Sequence, residues 1–225
     1  MTGLGEGRIP SGCTTWLFDL DGTLVDSAPD LHRALDATLA RHGLPGVDEA
    51  TVRRGVGRGA RHLIEHALAL RGAASGDPDV DGLLGHFLAH YEAHIADGSR
   101  LYPGVLGCLD ALAARGAALA CVTNKYEHLA LRLLGELGIR ERFGAVIGGD
   151  TLSVRKPDAG PLLEACRRLG QPSTQAVMVG DSMTDIAAAR AARMPVICVT
   201  YGYNHGEDIH GAGADFLVDS LEALI

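Results

Sequence analysis

Six short apolar runs recur along the chain, separated by longer segments with helical spacing. The runs are Thr15–Leu20, Ala117–Val122, Ala145–Gly148, Ala176–Val179, Val196–Thr200 and Phe216–Val218. Nearly every position in them is hydrophobic, which is typical of parallel strands buried on both faces. The spacing of Leu and Ala predicts helices between the runs. These helices are Leu106–Ala114, Leu129–Leu137, Pro161–Leu169 and Asp185–Ala192. The pattern therefore predicts an α/β fold built on a parallel sheet.

The connection between the first and second runs is too long for a single crossover helix. It spans residues 21–116, whereas a βαβ crossover needs only a few tens of residues. Helical spacing returns within this connection, at Leu31–Leu39, Ala60–Leu70 and Val80–Ile95. Gly, Pro and Asp separate these segments, and little of the sequence favours strands. We therefore expect a small helical cap domain at 25–97, inserted into a core formed by 14–24 and 98–225.

Charge and hydropathy exclude several classes of partner. The formal net charge is -8, with 28 acidic and 20 basic residues. Since no Lys/Arg cluster forms a basic stripe, nucleic acid is not expected as a partner. No apolar stretch reaches the ~18 residues of a membrane span, and Met1–Ser11 lacks the apolar core of a signal peptide. The five cysteines are widely spaced and are expected to be free thiols. We therefore expect a cytoplasmic protein without a membrane partner.

Polar residues follow the apolar runs where the predicted strands end. Ligands bind open parallel sheets at the carboxyl ends of the strands, so these residues are expected to converge on one rim. They are Asp19, Asp21, Thr123, Lys156, Asp181 and Asp185. Acids crowded together repel one another unless a divalent cation neutralises them. Because the candidate ligands offer oxygen and no His or Cys, a hard ion such as Mg²⁺ is favoured.

The same residues resemble the haloacid dehalogenase superfamily of phosphohydrolases. Its four motifs are matched in order by Asp19-x-Asp21-Gly22-Thr23, Thr123, Lys156 and Gly180-Asp181-x-x-x-Asp185. Each motif is weak alone, but their common order at successive strand ends is specific. The resemblance covers the chain from about Trp16 to the C-terminus. It implies a Rossmann-like parallel sheet core with the inserted helical cap.

The resemblance also implies a reaction. Asp19 would attack phosphorus and carry the phosphoryl group as an aspartyl-phosphate. Asp21 would protonate the departing alkoxide and then activate water. Mg²⁺ would be held by Asp19, by the backbone carbonyl of Asp21 and by Asp181.

The remaining motif residues are expected to assist. Lys156 and the Thr123 hydroxyl would hold the transferring phosphoryl oxygens, and Asp185 would orient Lys156 or a metal-bound water. Thr23 and Asn124 accompany the motifs as supporting residues.

Within the superfamily, the chain looks like the bacterial phosphoglycolate phosphatases. The resemblance rests on segments 19–27, 122–125, 147–150 and 200–204. It implies hydrolysis of 2-phosphoglycolate to glycolate and phosphate, with a small phosphorylated metabolite as the partner of a monomer or homodimer. A phosphatase or phosphomutase acting on a sugar phosphate, a muramic acid phosphate or pyrophosphate is the alternative.

Substrate choice is expected to lie in the cap, because the rim residues contact only phosphate. A glycine-rich basic loop, residues 55–61, precedes a cap helix whose N-terminal end favours anions. Our hypothesis is that Arg58 or Arg61 pairs with the glycolate carboxylate.

Two alternatives come from other classes of protein. His62-Leu63-Ile64-Glu65-His66 matches the H-x-x-E-H pattern of some zinc proteases, although no third ligand is evident. A binding protein that has lost turnover is the other alternative, and the intact acidic motifs argue against it.

Overall fold

A parallel sheet forms the centre of the molecule in the computed structural model, which describes residues 12–70 and 79–225. The strands, in chain order, are β1 Thr15–Phe18, β2 Val25–Asp26, β3 Arg100–Leu101, β4 Ala118–Val122, β5 Ala145–Ile147, β6 Ala176–Gly180, β7 Val196–Val199 and β8 Phe216–Val218. Six of them form one sheet in the order β5-β4-β1-β6-β7-β8, and every pair in it is parallel. The predicted α/β fold is confirmed, and each of its six strands begins and ends within two residues of the predicted run.

Helices cover both faces of this sheet and fill the long connection. They are α1 Ala28–Arg41, α2 Glu49–Gly55, α3 Ala60–Ala69, α4 Val80–Ala93, α5 Val105–Ala114, α6 Glu127–Glu136, α7 Gly160–Leu169 and α8 Met183–Ala192. Leu17 and Phe18 show why two layers are needed, since both are fully buried but belong to separate hydrophobic clusters on opposite faces. Alternate residues of a strand point to opposite faces, so a strand apolar at each position is stable only when both faces are covered.

Helices α1 to α4 pack on one another, as expected for the cap: α1 contacts α2 and α4, and α3 contacts the same two helices. The sequence pattern missed α2, whose seven residues include Arg53, Arg54 and Gly55 and bury only a short apolar face. Its N-cap is Asp48, whose side chain accepts a hydrogen bond from the Thr51 amide.

The strands β2 and β3 were also not predicted. They form an antiparallel ribbon in which Val25 pairs with Leu101 and Asp26 with Arg100. Two residues are too few for any periodicity to show in the sequence. The ribbon joins the two places where the chain enters and leaves the helical segment, close to the boundaries predicted for the cap. The domain limits themselves stay a prediction, and residues 71–78 of the cap range lie outside the described part.

Three further predictions concern the cysteines, membrane-spanning segments and the N-terminus. All five cysteines are free, and Cys108, Cys121, Cys166 and Cys198 are buried. None of the helices in the described ranges has the length and apolar character needed to cross a bilayer. The segment Met1–Ser11, which was expected not to be a signal peptide, lies outside the described residues.

Candidate active site

The predicted catalytic residues meet at the carboxyl edge of the sheet. Asp19 and Asp21 follow β1, Thr123 follows β4 and Asp181 follows β6. Because β1 lies between β4 and β6 with all three parallel, the ends of these strands are neighbours in space. Lys156 reaches the same edge from the loop after β5, and all five residues are buried.

Three carboxylates form the acidic centre of the site. Asp19, Asp181 and Asp185 each offer an oxygen, and the three oxygens lie within 4.8 Å of one another. Burial, with repulsion from its acidic neighbours, raises the pKa of Asp19 to about 8. Burial and the Asp185 carboxylate raise the pKa of Asp181 to about 7. The cluster therefore lacks the positive charge that full ionisation at neutral pH requires, and a bound divalent cation would supply it.

The donor set of this cluster fits Mg²⁺. Its ligands are carboxylate oxygens, which hard cations prefer, and three buried acids face a single ammonium, that of Lys156. Asp19 and Asp181 are the two predicted ligands that the cluster brings together. The structure places the side chain of Asp21 elsewhere, against Lys125, which leaves only its backbone carbonyl for the predicted metal contact.

Lys156 lies between two of the acids. Its Nζ is 2.8 Å from Oδ1 of Asp19 and 2.8 Å from Oδ1 of Asp185, and it donates to the Val122 carbonyl at 2.7 Å. Burial opposes the charged form, but the two carboxylates raise the pKa of Lys156 overall. Oδ1 of Asp19 also accepts from the Leu20 amide at 2.7 Å. Oδ2 has no hydrogen-bond partner in the described part of the chain, so this oxygen is the one available for attack on phosphorus.

Asp185 carries out two structural tasks with its two oxygens. Oδ1 contacts Lys156, while Oδ2 accepts from the Ser182 hydroxyl at 2.8 Å and from the amides of Asp181 and Ser182 at 3.2 Å. These contacts form a capping box at the start of α8. The prediction that Asp185 orients Lys156 agrees with this geometry.

Asp181 is held by donors on three sides. Its Oδ1 accepts from the Thr23 hydroxyl at 3.1 Å, and its Oδ2 accepts from the amides of Tyr203 at 2.7 Å and Asn204 at 3.3 Å. Thr23, predicted as a supporting residue, therefore positions a candidate metal ligand. The Tyr203 and Asn204 contacts come from the loop after β7, within segment 200–204, which carries part of the resemblance but for which no site role was predicted.

Two glycines leave room for the Asp181 side chain. A Cβ on Gly22 would lie 2.4 Å from Oδ2 of Asp181, and a Cβ on Gly202 would lie 2.1 Å from its Cβ. Gly22 also has a φ of +89°, which other residues rarely adopt. Any side chain at either position would displace the carboxylate.

Asp21 forms a second buried ion pair. Its Oδ1 is 2.9 Å from Nζ of Lys125 and accepts from the Ser27 hydroxyl at 2.5 Å. Nζ of Lys125 lies 4.7 Å from the ring centroid of Tyr91 on α4, so this pair also contacts the cap. Lys125 belongs to segment 122–125, which carries part of the resemblance, but the sequence alone predicts no role for it.

Thr123 and Asn124 line the cavity above Asp19. The Thr123 hydroxyl accepts from the Lys125 amide at 3.2 Å, and its own proton is available for donation. Asn124 donates through Nδ2 to the carbonyls of Gly57 at 2.9 Å and Lys156 at 3.0 Å. Asn124 therefore connects the cap loop that contains Gly57 to the loop after β5 that contains Lys156.

The two candidate specificity arginines lie in different surroundings. Arg58 lines a groove together with His62, Arg155 and Lys156. Arg61 forms an exposed ion pair with Asp81 and lines neither this groove nor the cavity above Asp19. Of the two candidates, Arg58 alone lines a groove that also contains Lys156.

No third ligand joins the histidine pair of the zinc-protease pattern in the described residues. The rings of His62 and His66 lie 6.3 Å apart between centroids. Across residues 12–70 and 79–225, the acidic cluster is the one group of three or more His, Cys, Asp or Glu ligands close enough to share an ion.

Comparison with known proteins identifies the family. A model of haloacid dehalogenase-like hydrolases matches residues 14–193, which is most of the chain. The chain belongs to this family. The resemblance inferred from the four motifs is therefore confirmed.

Curated relatives of this haloacid dehalogenase-like hydrolase share nearly half of its residues. The chain is 46% identical over 212 residues to a phosphoglycolate phosphatase of Rhodospirillum rubrum, with 92% of this chain and 88% of the relative covered. It is 44% identical to a phosphoglycolate phosphatase of Nitrosococcus oceani, with 91% and 92% covered.

Solved structures of similar proteins share the whole fold. A predicted phosphoglycolate phosphatase from Haemophilus somnus has a TM-score of 0.89 at 33% identity, covering 96% of this chain and 97% of its own. CbbY from Rhodobacter sphaeroides, in complex with phosphate, has a TM-score of 0.77 at 27% identity, covering 94% and 96%. The haloacid dehalogenase-like fold therefore extends over the cap helices as well as the sheet.

Proposed function

We propose that the chain is a Mg²⁺-dependent phosphatase that hydrolyses 2-phosphoglycolate through a phosphorylated Asp19. The observation that carries the proposal is the arrangement around Asp19: Oδ1 is fixed by Lys156 and the Leu20 amide, and Oδ2 is left without a partner in the described residues. One oxygen is thus oriented and the other is free to form a bond to phosphorus.

The chain's own residues can account for each step. Lys156 and the Thr123 hydroxyl neutralise and orient the phosphoryl oxygens while Oδ2 of Asp19 attacks. Asp21 gives a proton to the departing ester oxygen and then takes one from the water that hydrolyses the aspartyl-phosphate. Mg²⁺, held by Asp19, Asp181 and the Asp21 carbonyl, would supply positive charge to the transferring group.

The substrate assignment rests on similarity and on the size of the cavity. The curated relatives described above are named phosphoglycolate phosphatase. The cavity next to Asp19 has a volume of about 40 Å³, whereas one water needs roughly 10–15 Å³ on the same measure. A leaving group with few heavy atoms, such as glycolate, fits this space better than a sugar.

The test measures release of inorganic phosphate from a panel of phosphate esters, with Mg²⁺ and with EDTA. We expect 2-phosphoglycolate to have the highest kcat/KM and EDTA to abolish turnover. Asp19→Asn keeps the acceptor for Lys156 but loses the nucleophile, so kcat should fall at least about 10⁴-fold. Asp110→Asn, at an exposed ion pair with Arg142, is the matched control and should leave kcat unchanged.

Trapping separates this reaction from its alternatives. Acid quenching during turnover, followed by mass spectrometry, should find phosphate on the peptide that contains Asp19 and none in Asp19→Asn. A phosphomutase would return phosphate to the organic substrate instead of releasing it. Full turnover by Asp19→Asn would rule out the proposed intermediate.

A further inference from the structure

The chain contains two lysines, Lys125 and Lys156, and both are buried in the candidate site. Lys156 contacts the nucleophile Asp19 and accounts for the motif lysine of the family. Lys125 lies against Asp21, the residue proposed to protonate the leaving group. The proposed reaction gives a role to Lys156 but none to the second buried ammonium, that of Lys125.

The contacts of the Lys125 ammonium hold it in place but do not use all of its N–H donors. Nζ is 2.9 Å from Oδ1 of Asp21 and 4.7 Å from the ring centroid of Tyr91. Its two neighbours, a carboxylate and the face of an aromatic ring, are both partners that suit an ammonium. An ammonium has three N–H donors, more than the Asp21 contact uses.

The cavity beside Asp19 is polar on the sheet side and apolar on the cap side. The cap lining consists mainly of Leu31, Val56, Leu63, Phe87 and Leu88, and Leu129 on α6 of the core adds to it. Within the part of the chain that the structure describes, Lys125 is the one cationic side chain in the lining. A charge in such surroundings interacts more strongly than in water, because the apolar walls lower the local dielectric constant.

We propose that Lys125 binds a carboxylate on the leaving group and so selects phosphate esters of small 2-hydroxy acids. The proposal rests on the proposed function, because it places the ester oxygen next to Asp21. In 2-phosphoglycolate a single methylene separates that oxygen from the carboxylate. A carboxylate this close to the ester oxygen falls beside Asp21, which is where the ammonium of Lys125 lies.

Recognition of the carboxylate then lies at Lys125 in the core, and not at Arg58 or Arg61 in the cap. Arg61 is paired with Asp81 at the surface, and Arg58 lines the neighbouring groove instead of this cavity. Lys125 is on the segment between β4 and α6. The cap contributes Tyr91 and the apolar walls, which limit the size of the leaving group.

The first test compares two substrates in one variant. Ethyl phosphate has a methyl group where 2-phosphoglycolate has its carboxylate, so the ratio of their kcat/KM values isolates recognition of the charge. Lys125→Met should lower this ratio at least about 30-fold, the cost of removing one partner of a buried charge pair. Arg61→Met removes a cation outside the cavity and should leave the ratio as in the wild type.

The outcomes distinguish this proposal from the proposed function. If Lys125→Met lowers kcat/KM for both esters equally, Lys125 only positions Asp21 and the inference is wrong. If the wild type hydrolyses both esters equally well, the inference is wrong although the phosphatase reaction stands. If the wild type hydrolyses no ester, the proposed function itself fails.

The second test uses the wild type and does not depend on how a variant folds. Because the chain has two lysines, a sample with isotope-labelled lysine should give two side-chain NMR signals. Glycolate should shift the Lys125 signal, whereas glycolamide, a neutral molecule of similar size, should not. Equal shifts with both, or no shift with glycolate, would overturn the inference.

Discussion

Asp185 holds the ammonium of Lys156 with one carboxylate oxygen, and with the other it caps the N-terminus of helix α8. The Nζ–Oδ1 distance is 2.8 Å, and the two side chains are 1% and 0% exposed. Oδ2 meanwhile accepts three hydrogen bonds, two of them from Ser182. The position of the Lys156 ammonium is therefore tied to the first turn of α8.

Replacing Asp185 tests this relationship. Asp185→Asn keeps the size of the side chain but removes its charge, so Lys156 should turn further toward Asp19 and hinder attack. We expect kcat to fall about 10- to 100-fold with a smaller change in KM, and the free energy of unfolding to fall by about 1–3 kcal/mol. Asp215→Asn, at a partly exposed pair with Arg190, is the control for helix α8. An unchanged kcat would show that Asp185 serves the helix alone.

Magnesium should stabilise the protein more as the pH rises. The pKa of Asp19 is raised from its ordinary value of 3.8 to about 8 in the folded state. Between these values the metal-free folded state holds more protons than the unfolded state, so the free energy of unfolding falls with increasing pH. Burial is the main cause of the raised pKa, and repulsion from Asp185 and Asp181 adds to it. Bound Mg²⁺ would offset both by placing positive charge beside the carboxylates.

Thermal unfolding at the two ends of this range checks the sign. The increase in Tm on adding Mg²⁺ should be small at the acid end and large at the alkaline end. Asp181→Asn removes a ligand and a like charge, so it should lose most of the Mg²⁺ effect and most of its pH dependence. A Mg²⁺ effect that decreases toward alkaline pH would contradict the mechanism.

Gly202 is expected to control metal affinity without contacting the metal. A Cβ there would lie 2.1 Å from the Cβ of Asp181, so Gly202→Ala must displace that residue. We expect the Kd for Mg²⁺, measured by titration calorimetry, to rise at least about tenfold. Gly107→Ala is the matched control, because nothing lies within 4 Å of its Cβ and alanine favours a helix by about 1 kcal/mol. Equal Kd values for the two variants would contradict this prediction.

Arg58 and Arg61 should differ in their effect on substrate capture. Arg58 lines the groove beside Lys156 in a chain of net charge -8, so it should attract anionic esters by electrostatics. Arg58→Ala should lower kcat/KM about three- to tenfold for both 2-phosphoglycolate and ethyl phosphate, and less at high salt. Arg61→Ala should change neither value by more than about twofold. Steady-state kinetics at two ionic strengths measures both effects.

The sheet and its catalytic rim could be predicted because both depend on simple spacing. Asp19 and Asp181 are far apart in the chain, but each follows an apolar run, and parallel pairing of β1 with β6 brings the ends of those runs together. The cluster of acids then follows from topology. No detailed knowledge of side-chain packing was required.

The partners of individual side chains could not be predicted in this way. Lys125 is 104 residues from Asp21, and their contact depends on how the loop after β4 turns. Tyr203 likewise donates to Asp26 at 2.7 Å and accepts from the amides of Ser27 and Ala28. These contacts depend on loop conformation, which the spacing of hydrophobic residues does not predict. The same is true of Arg61, whose pairing with Asp81 removes it from the site.

The burial of Lys125 and Lys156 leaves the outer surface without ε-amino groups, since every other basic residue that is charged at neutral pH is an arginine. Amine-directed acylation of either side chain therefore requires a motion that exposes its Nζ, such as separation of the cap helices from the sheet. The rate at which a small acylating reagent modifies these lysines measures how often the enzyme opens, and a bound inhibitor that keeps it closed should protect both of them.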